Sequence, residues 1–263
     1  MKKLFFVAAI ACLSFASCRK EASDVGYGYI DLGITADILT KTVLNVDSSE
    51  LESWTAVATK SGESSPAYSG TASGLASTPL LSGTYAVSVY TFADDAAAEA
   101  ANERWGAARY AGEAEVTVSS GTTQNPTIEC GAARNTRFTV IFDNSFKAMC
   151  TDENGGALDT YALTTKDARA IVFNKDTEGK YAYYAVSASV PYTFEYVYNG
   201  VPRKAEGILN MGDVAGTQRN IIIRSNNNGS ISITISYDDS FIDGEDEILT
   251  IDALTGGQVE ENK

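Results

Sequence analysis

Apolar and polar residues alternate with a period of two along most of this chain, and no long stretch repeats every three to four residues. Period two is the mark of a strand with one buried face. Residues 27–34 show it, as do 83–92, where Tyr85, Val87, Val89 and Thr91 share a side. Residues 137–142 put Phe138, Val140 and Phe142 together. Further strands are predicted at 54–59, 160–164, 170–174, 180–187 and 248–251. Three hairpins are predicted: 113–118 with 122–130 about Ser119-Ser120-Gly121, 192–198 with 203–209 through Asn199-Gly200, and 219–224 with 230–235 through residues 226–229. Residues 60–77 read as a Ser- and Gly-rich loop, and the Ala-rich 94–103 as one short helical turn. Many short strands between turn signals predict an all-β chain of two tandem β-sandwich domains, 26–133 and 134–255, followed by a flexible tail at 256–263.

The first residues break this pattern. Lys2 and Lys3 precede an apolar run, residues 4–13, too short for the roughly 20 residues that span a bilayer. Phe15-Ala16-Ser17-Cys18 follows, small residues directly before a cysteine. The segment reads as a cleavable signal peptide at 1–17, of the kind cut before a lipid-modified cysteine. Cys18 is then the lipidation site, and 18–25 a short polar tether. More than one acyl chain holds a protein at a membrane stably, each buried methylene contributing about 0.8 kcal/mol. The outer membrane is thus an expected partner, and Phe15 is a departure from the aliphatic residue usual at that position.

Composition narrows the chemistry. The net charge is -14, which would repel nucleic-acid phosphates, so no nucleic-acid partner is expected. There is no histidine. Ser-His-Asp and Cys-His catalysis are therefore excluded, and so is the commonest transition-metal ligand. No nucleophile elbow, dinucleotide fingerprint or phosphate loop occurs. The reading is no enzyme, no catalytic residues, no cofactor and no metal. The acidic run at 238–247 lacks the alternating spacing of a calcium loop and reads as a solvated loop. Asp152-Glu153-Asn154-Gly155-Gly156 reads as a turn. Beyond Cys12 and Cys18, only Cys130 and Cys150 remain. A disulfide is open to an exported chain, but the strand between them carries the chain about 25 Å, at roughly 3.3 Å per residue, which favours free thiols.

Tyr181, Tyr183, Tyr184, Tyr192, Phe194, Tyr196 and Tyr198 crowd neighbouring strands of the second half. Tyr192, Phe194, Tyr196 and Tyr198 fall on one face of a strand, either as a platform for sugar or protein or as core and cross-strand packing. Trp54 and Trp105 read as core or loop anchors.

Several segments together resemble a known family. They are Gly28-Tyr29-Ile30-Asp31-Leu32-Gly33-Ile34, Ser82-Gly83-Thr84-Tyr85, Trp105 through Tyr110 to Gly112, and Ile128-Glu129-Cys130 followed by Asn135. Their order is similar to that of Bacteroidales surface lipoproteins grouped as domain of unknown function 4493. These are related in architecture to fimbrillins and fimbrial accessory lipoproteins, which are paired transthyretin-like β-sandwiches. The resemblance implies an outer-membrane, cell-surface protein that acts as a fimbria-associated anchor or tip subunit or as an adhesin. Its partners would be pilus subunits or host surface proteins and glycans. Polymerising fimbrillins mature by cleavage after an Arg in the first strand region, and this chain has no Arg between Arg19 and Arg104. That departure favours an anchor, tip or stand-alone role. The alternative is a glycan-binding lipoprotein of a polysaccharide uptake system.

Overall fold

A computed structural model describes residues 26–37, 43–225, 231–237 and 247–251. The expected signal peptide, Cys18, the expected tether and tail, and residues 238–246 lie outside the described residues. The first strand shows how sequence sets structure. From Tyr27 to Asp37 every second side chain is buried, without a slip, across β1 (Tyr27–Ile30) and β2 (Gly33–Asp37). Then come β3 (Val43–Asn45), β4 (Thr55–Lys60), β5 (Tyr68–Thr71), α1 (Ala72–Leu75), β6 (Leu80–Leu81) and β7 (Gly83–Tyr90). The half is completed by α2 (Asp95–Ala100), β8 (Ala111–Val118), β9 (Thr123–Gln124) and β10 (Thr127–Ala132).

One layer is the antiparallel sheet β5-β4-β7-β8. The other joins β6-β1-β9 to β10-β2-β3. The amide of Asp31 donates to the Gln124 carbonyl (2.8 Å) and that of Gly33 to the Pro126 carbonyl (2.9 Å). The parallel pairing of β1 with β9 therefore runs on into that of β2 with β10. This overturns the predicted hairpin of 113–118 with 122–130. Gly121 turns the chain at φ +71° and sends β9 and β10 to the opposite layer, where Ile128 and Cys130 are buried. The expected loop at 60–77 also holds β5 and α1. Thr71 caps that helix by accepting the Gly74 amide at 3.1 Å.

The second half runs β11 (Thr136–Phe142), α3 (Asn144–Met149), β12 (Tyr161–Thr165), β13 (Val172–Phe173), β14 (Ala182–Tyr184), β15 (Ser189–Tyr198), β16 (Val201–Asn210), β17 (Gln218–Ser225), β18 (Ile231–Tyr237) and β19 (Glu247–Ile251). Its sheets are β14-β11-β17-β18-β19 and β13-β12-β15-β16. Asn199 and Gly200 take φ +49° and +71°, the left-handed pair that a two-residue hairpin turn requires, and join β15 to β16 as expected. Here too the first strand, β11, pairs in parallel with a late one, β17.

The fold is an all-β sandwich architecture with two clusters of buried apolar side chains. One cluster spans Ile30 to Ala133 and the other Phe138 to Ile233. Cys130 lies in the first and Cys150 in the second, both free and buried, so the strand between them does keep them apart. No described helix is long and apolar enough to cross a membrane.

Candidate functional site

The segment between β7 and β8 leaves the first half and docks on the second. Asp94 caps α2 by accepting the Ala97 amide at 2.8 Å. Glu99 on that helix accepts the Ala185 amide at 3.0 Å, and the Trp105 carbonyl accepts the Tyr183 amide at 2.9 Å. Between them Asn102, Glu103 and Arg104 take φ of +52°, +54° and +74°. Such left-handed positions cost of order 1–3 kcal/mol each outside glycine and persist only where the surroundings impose them. The surroundings here are the hydrogen bonds of the Arg104 and Gly106 amides to Ala101 and of the Trp105 amide to Asn102.

Two polar side chains fix this docking. Arg169, only 9% exposed, stacks its guanidinium 3.6 Å from the centre of the Tyr184 ring. It donates to Asp167 (3.0 Å) and to the Tyr183 carbonyl (2.8 Å), and lies 3.8 Å from Glu99 across the junction. Burial pushes the Asp167 carboxyl up, but hydrogen bonds from Thr165 and Arg169, with the Arg169 charge, leave it below its ordinary value. Asn135, 1% exposed, accepts the Arg109 amide (3.0 Å) and donates to the Ala107 carbonyl (2.8 Å), while its own carbonyl accepts the Gly216 amide (2.9 Å).

A groove of about 300 Å³ opens beside this docking, lined by Asn102, Glu103, Trp105, Lys180, Tyr181 and Tyr183. Alternation on β14 explains the two tyrosines: Ala182 and Tyr184 point into the core, and Tyr181 and Tyr183 point out. Behind them a polar row crosses the sheet. Arg137 stacks on Tyr181 at 3.9 Å, donates to the Tyr183 hydroxyl (3.3 Å) and holds Gln218, which donates to Asn220 (3.1 Å). Trp105 is half-buried, edge-on to Phe173, with the Lys180 ammonium 5.4 Å from its ring centre. Rings, an amide, a carboxylate and an ammonium thus converge at one small opening.

The neighbouring aromatic row on β15 is different. Tyr192, Phe194 and Tyr196 are 3%, 0% and 2% exposed, and Tyr198 packs half-buried against the same cluster. Phe194 stacks with Tyr196 at 5.2 Å and lies 5.5 Å from Phe146. Of the two readings of this row, platform and core packing, the structure shows core and not a ligand-facing face: its shared face is the inner face of β15, and the rings touch one another. A wider groove of about 660 Å³ crosses the outer face of β12, β15 and β16. Lys175 pairs with Asp159 and Lys204 with Glu206, both at 3.1 Å and exposed, and Asp176, Glu195 and Arg203 also line it. Among the described residues no cluster of acids and cysteines could hold a metal. Asp152 accepts the amides of Asn154 (2.8 Å) and Gly156 (2.7 Å), which is turn chemistry.

The profile of the family described as Domain of unknown function (DUF4493) matches residues 26–252, most of the chain. The chain belongs to that family. Two of the segments that carried the DUF4493 resemblance take part in the docking: Trp105 seats it and Asn135 pins it. Gly112 instead lies within the first half against Cys130, where an added Cβ would come within 2.9 Å of the sulfur. Among solved structures, the chain is similar to a candidate cell adhesion protein from Bacteroides eggerthii, at 10% identity and TM-score 0.40, over 81% of this chain and 95% of that one. A leucine-rich repeat protein from Bacteroides thetaiotaomicron aligns at 13% identity and TM-score 0.24, over 75% of this chain and 26% of that one. The pilus adhesin SpaC from Lactobacillus rhamnosus GG aligns at 10% and 0.27, over 81% and 27%. No curated protein matches the chain.

Proposed function

We propose that this is a non-enzymatic surface lipoprotein, held in the outer membrane through Cys18, that works by contact as an adhesin or fimbria-associated anchor or tip subunit. The observation that carries this reading is the junction groove, where two halves locked by Arg169 and Asn135 present convergent rings and polar groups at one rim. A groove built jointly by two sandwiches keeps its shape only while they stay docked, which suits a protein that must hold a partner. The absence of histidine supports a non-catalytic role.

The lack of an Arg between Arg19 and Arg104 supports a subunit that does not polymerise by losing its first strand, which is buried here. Ile30, Leu32, Ile34 and Ala36 are 0–6% exposed, and fully burying an aliphatic side chain stabilises by about 1.5–3 kcal/mol. Cleavage that released β1 and β2 would open the first core. The test is location and attachment together. Intact cells treated with protease should lose the protein, and protein-coated beads should attach to a partner surface. Survival of the protein on protease-treated intact cells would place it on the inner face and sink the surface reading.

A further inference from the structure

The junction groove has the chemistry of one ligand class. Its volume of about 300 Å³ stands at the lower end of small-molecule sites, so it holds one ring rather than an extended chain. Trp105, Tyr181 and Tyr183 offer apolar surface. The exposed rim offers an acceptor in Glu103, donors in Lys180, and both in the amide of Asn102. A ligand that satisfies all of these needs an apolar face and a girdle of groups that both donate and accept. Apolar peptide side chains fail this, because they would strip water from Glu103 and Lys180 without replacing its hydrogen bonds. Phosphate-bearing ligands fail on the negative net charge and on Glu103.

We propose that the groove is a subsite for a single pyranose, the terminal residue of a glycan, with its C–H face on the indole of Trp105 and its hydroxyls toward Asn102, Glu103 and Lys180. This rests on the reading of the same groove as the contact site. The three left-handed positions give the rim its form, since they turn Asn102 and Glu103 at the lip while Trp105, the next residue, is anchored on Phe173. An incoming ring displaces the exposed Lys180 from the indole, and the ammonium then donates to ring hydroxyls.

The chain has two tryptophans, and only Trp105 lines the groove; Trp54 is 6% exposed and stacked on Tyr110 in the first core. Tryptophan emission therefore reports on the groove directly. The full mature chain is titrated with the methyl pyranosides of glucose, galactose, mannose and N-acetylglucosamine, with myo-inositol as a polyol lacking the pyranose ring. At least one pyranoside should give a saturable change with Kd of about 1 mM, weakened at least tenfold in Tyr181→Ala and about threefold in Glu103→Gln, an exposed position. Trp105→Phe should abolish the signal, and saturation-transfer NMR should show weakened binding in the same variant. No saturable change with any pyranoside overturns the proposal, as does binding untouched by Tyr181→Ala and Glu103→Gln, or an equal response to inositol. If the pyranosides fail while bead attachment still depends on Trp105 and Tyr181, only the sugar class falls. If attachment also ignores these residues, the contact reading falls with it.

Discussion

Trp105 stands edge-on to Phe173, ring centres 5.1 Å apart, so an indole carried by a first-half loop rests against the core of the second half. Edge-to-face pairs contribute about 0.5–1.5 kcal/mol beyond the area they bury. This contact, the Arg169 cluster and Asn135 make the junction a packed element rather than a linker.

Arg169→Ala should therefore destabilise the chain by about 3 kcal/mol, since it leaves Asp167 without its cation and Tyr184 without its stacked partner. Thermal unfolding reads the loss. Limited proteolysis should then cut the chain between the two cores, where the wild-type resists. Unchanged melting and digestion would show that the junction is held by something else.

The β15 aromatics should behave as core. Phe194→Ala should lose about 3–5 kcal/mol in urea unfolding, and Tyr198→Ala, at a half-buried position, much less. Equal, small effects would restore these residues as a surface platform.

Both free thiols are pushed up by burial, Cys130 to about 11, against a smaller downward pull from Arg134, and Cys150 to about 12, with Asp159 adding to the rise. Folded values above the ordinary 9.0 mean that the native state holds these protons longer than the unfolded chain does. Their stabilisation is full below pH 9 and is lost as pH rises from there through about 11 and 12. Stability measured across that window should fall, and less steeply in a Cys130→Ala/Cys150→Ala variant. Ellman's reagent should react slowly with the native protein at pH 8 and rapidly after denaturation.

Metabolic labelling with radioactive palmitate should mark the wild-type protein and not Cys18→Ser. Label retained by the variant would remove the lipid anchor from this account.

The strands were legible because burial follows alternation so closely: Tyr85, Val87 and Val89 were placed on one face by period two, and all three are buried. The Asn199-Gly200 turn was legible because its two residues are those that tolerate left-handed backbone. Pairing was not legible. β11 and β17 meet in parallel though Arg137 and its partner Gln218 are 81 residues apart, and local pattern carries no address for a distant partner. The α3 helix escaped because six residues hold too little periodicity, although Asp143, which caps it, could have signalled it. The site was not legible for a related reason. Alternation identifies a shared face without saying whether that face meets solvent, so the β15 row and Tyr181 and Tyr183 beside it were open to both platform and core readings, and only the packing separates them. Arg169 carried no signal beyond being a single polar residue among strands, whereas Asn135 was marked through the family resemblance though not as a pin of the junction.

The central claim is that the junction groove makes the protein's contact. Beads coated with the full mature chain, flowed over mucin and over epithelial monolayers, test it most directly. Wild-type beads should be retained well above uncoated ones, and a Trp105→Ala/Tyr181→Ala variant, checked for folding by circular dichroism, should lose about tenfold or more, as expected when residues each worth at least 1 kcal/mol are truncated. Tyr198→Ala beads should match the wild-type. Retention no better than uncoated beads, or undiminished in the double variant, would contradict the account.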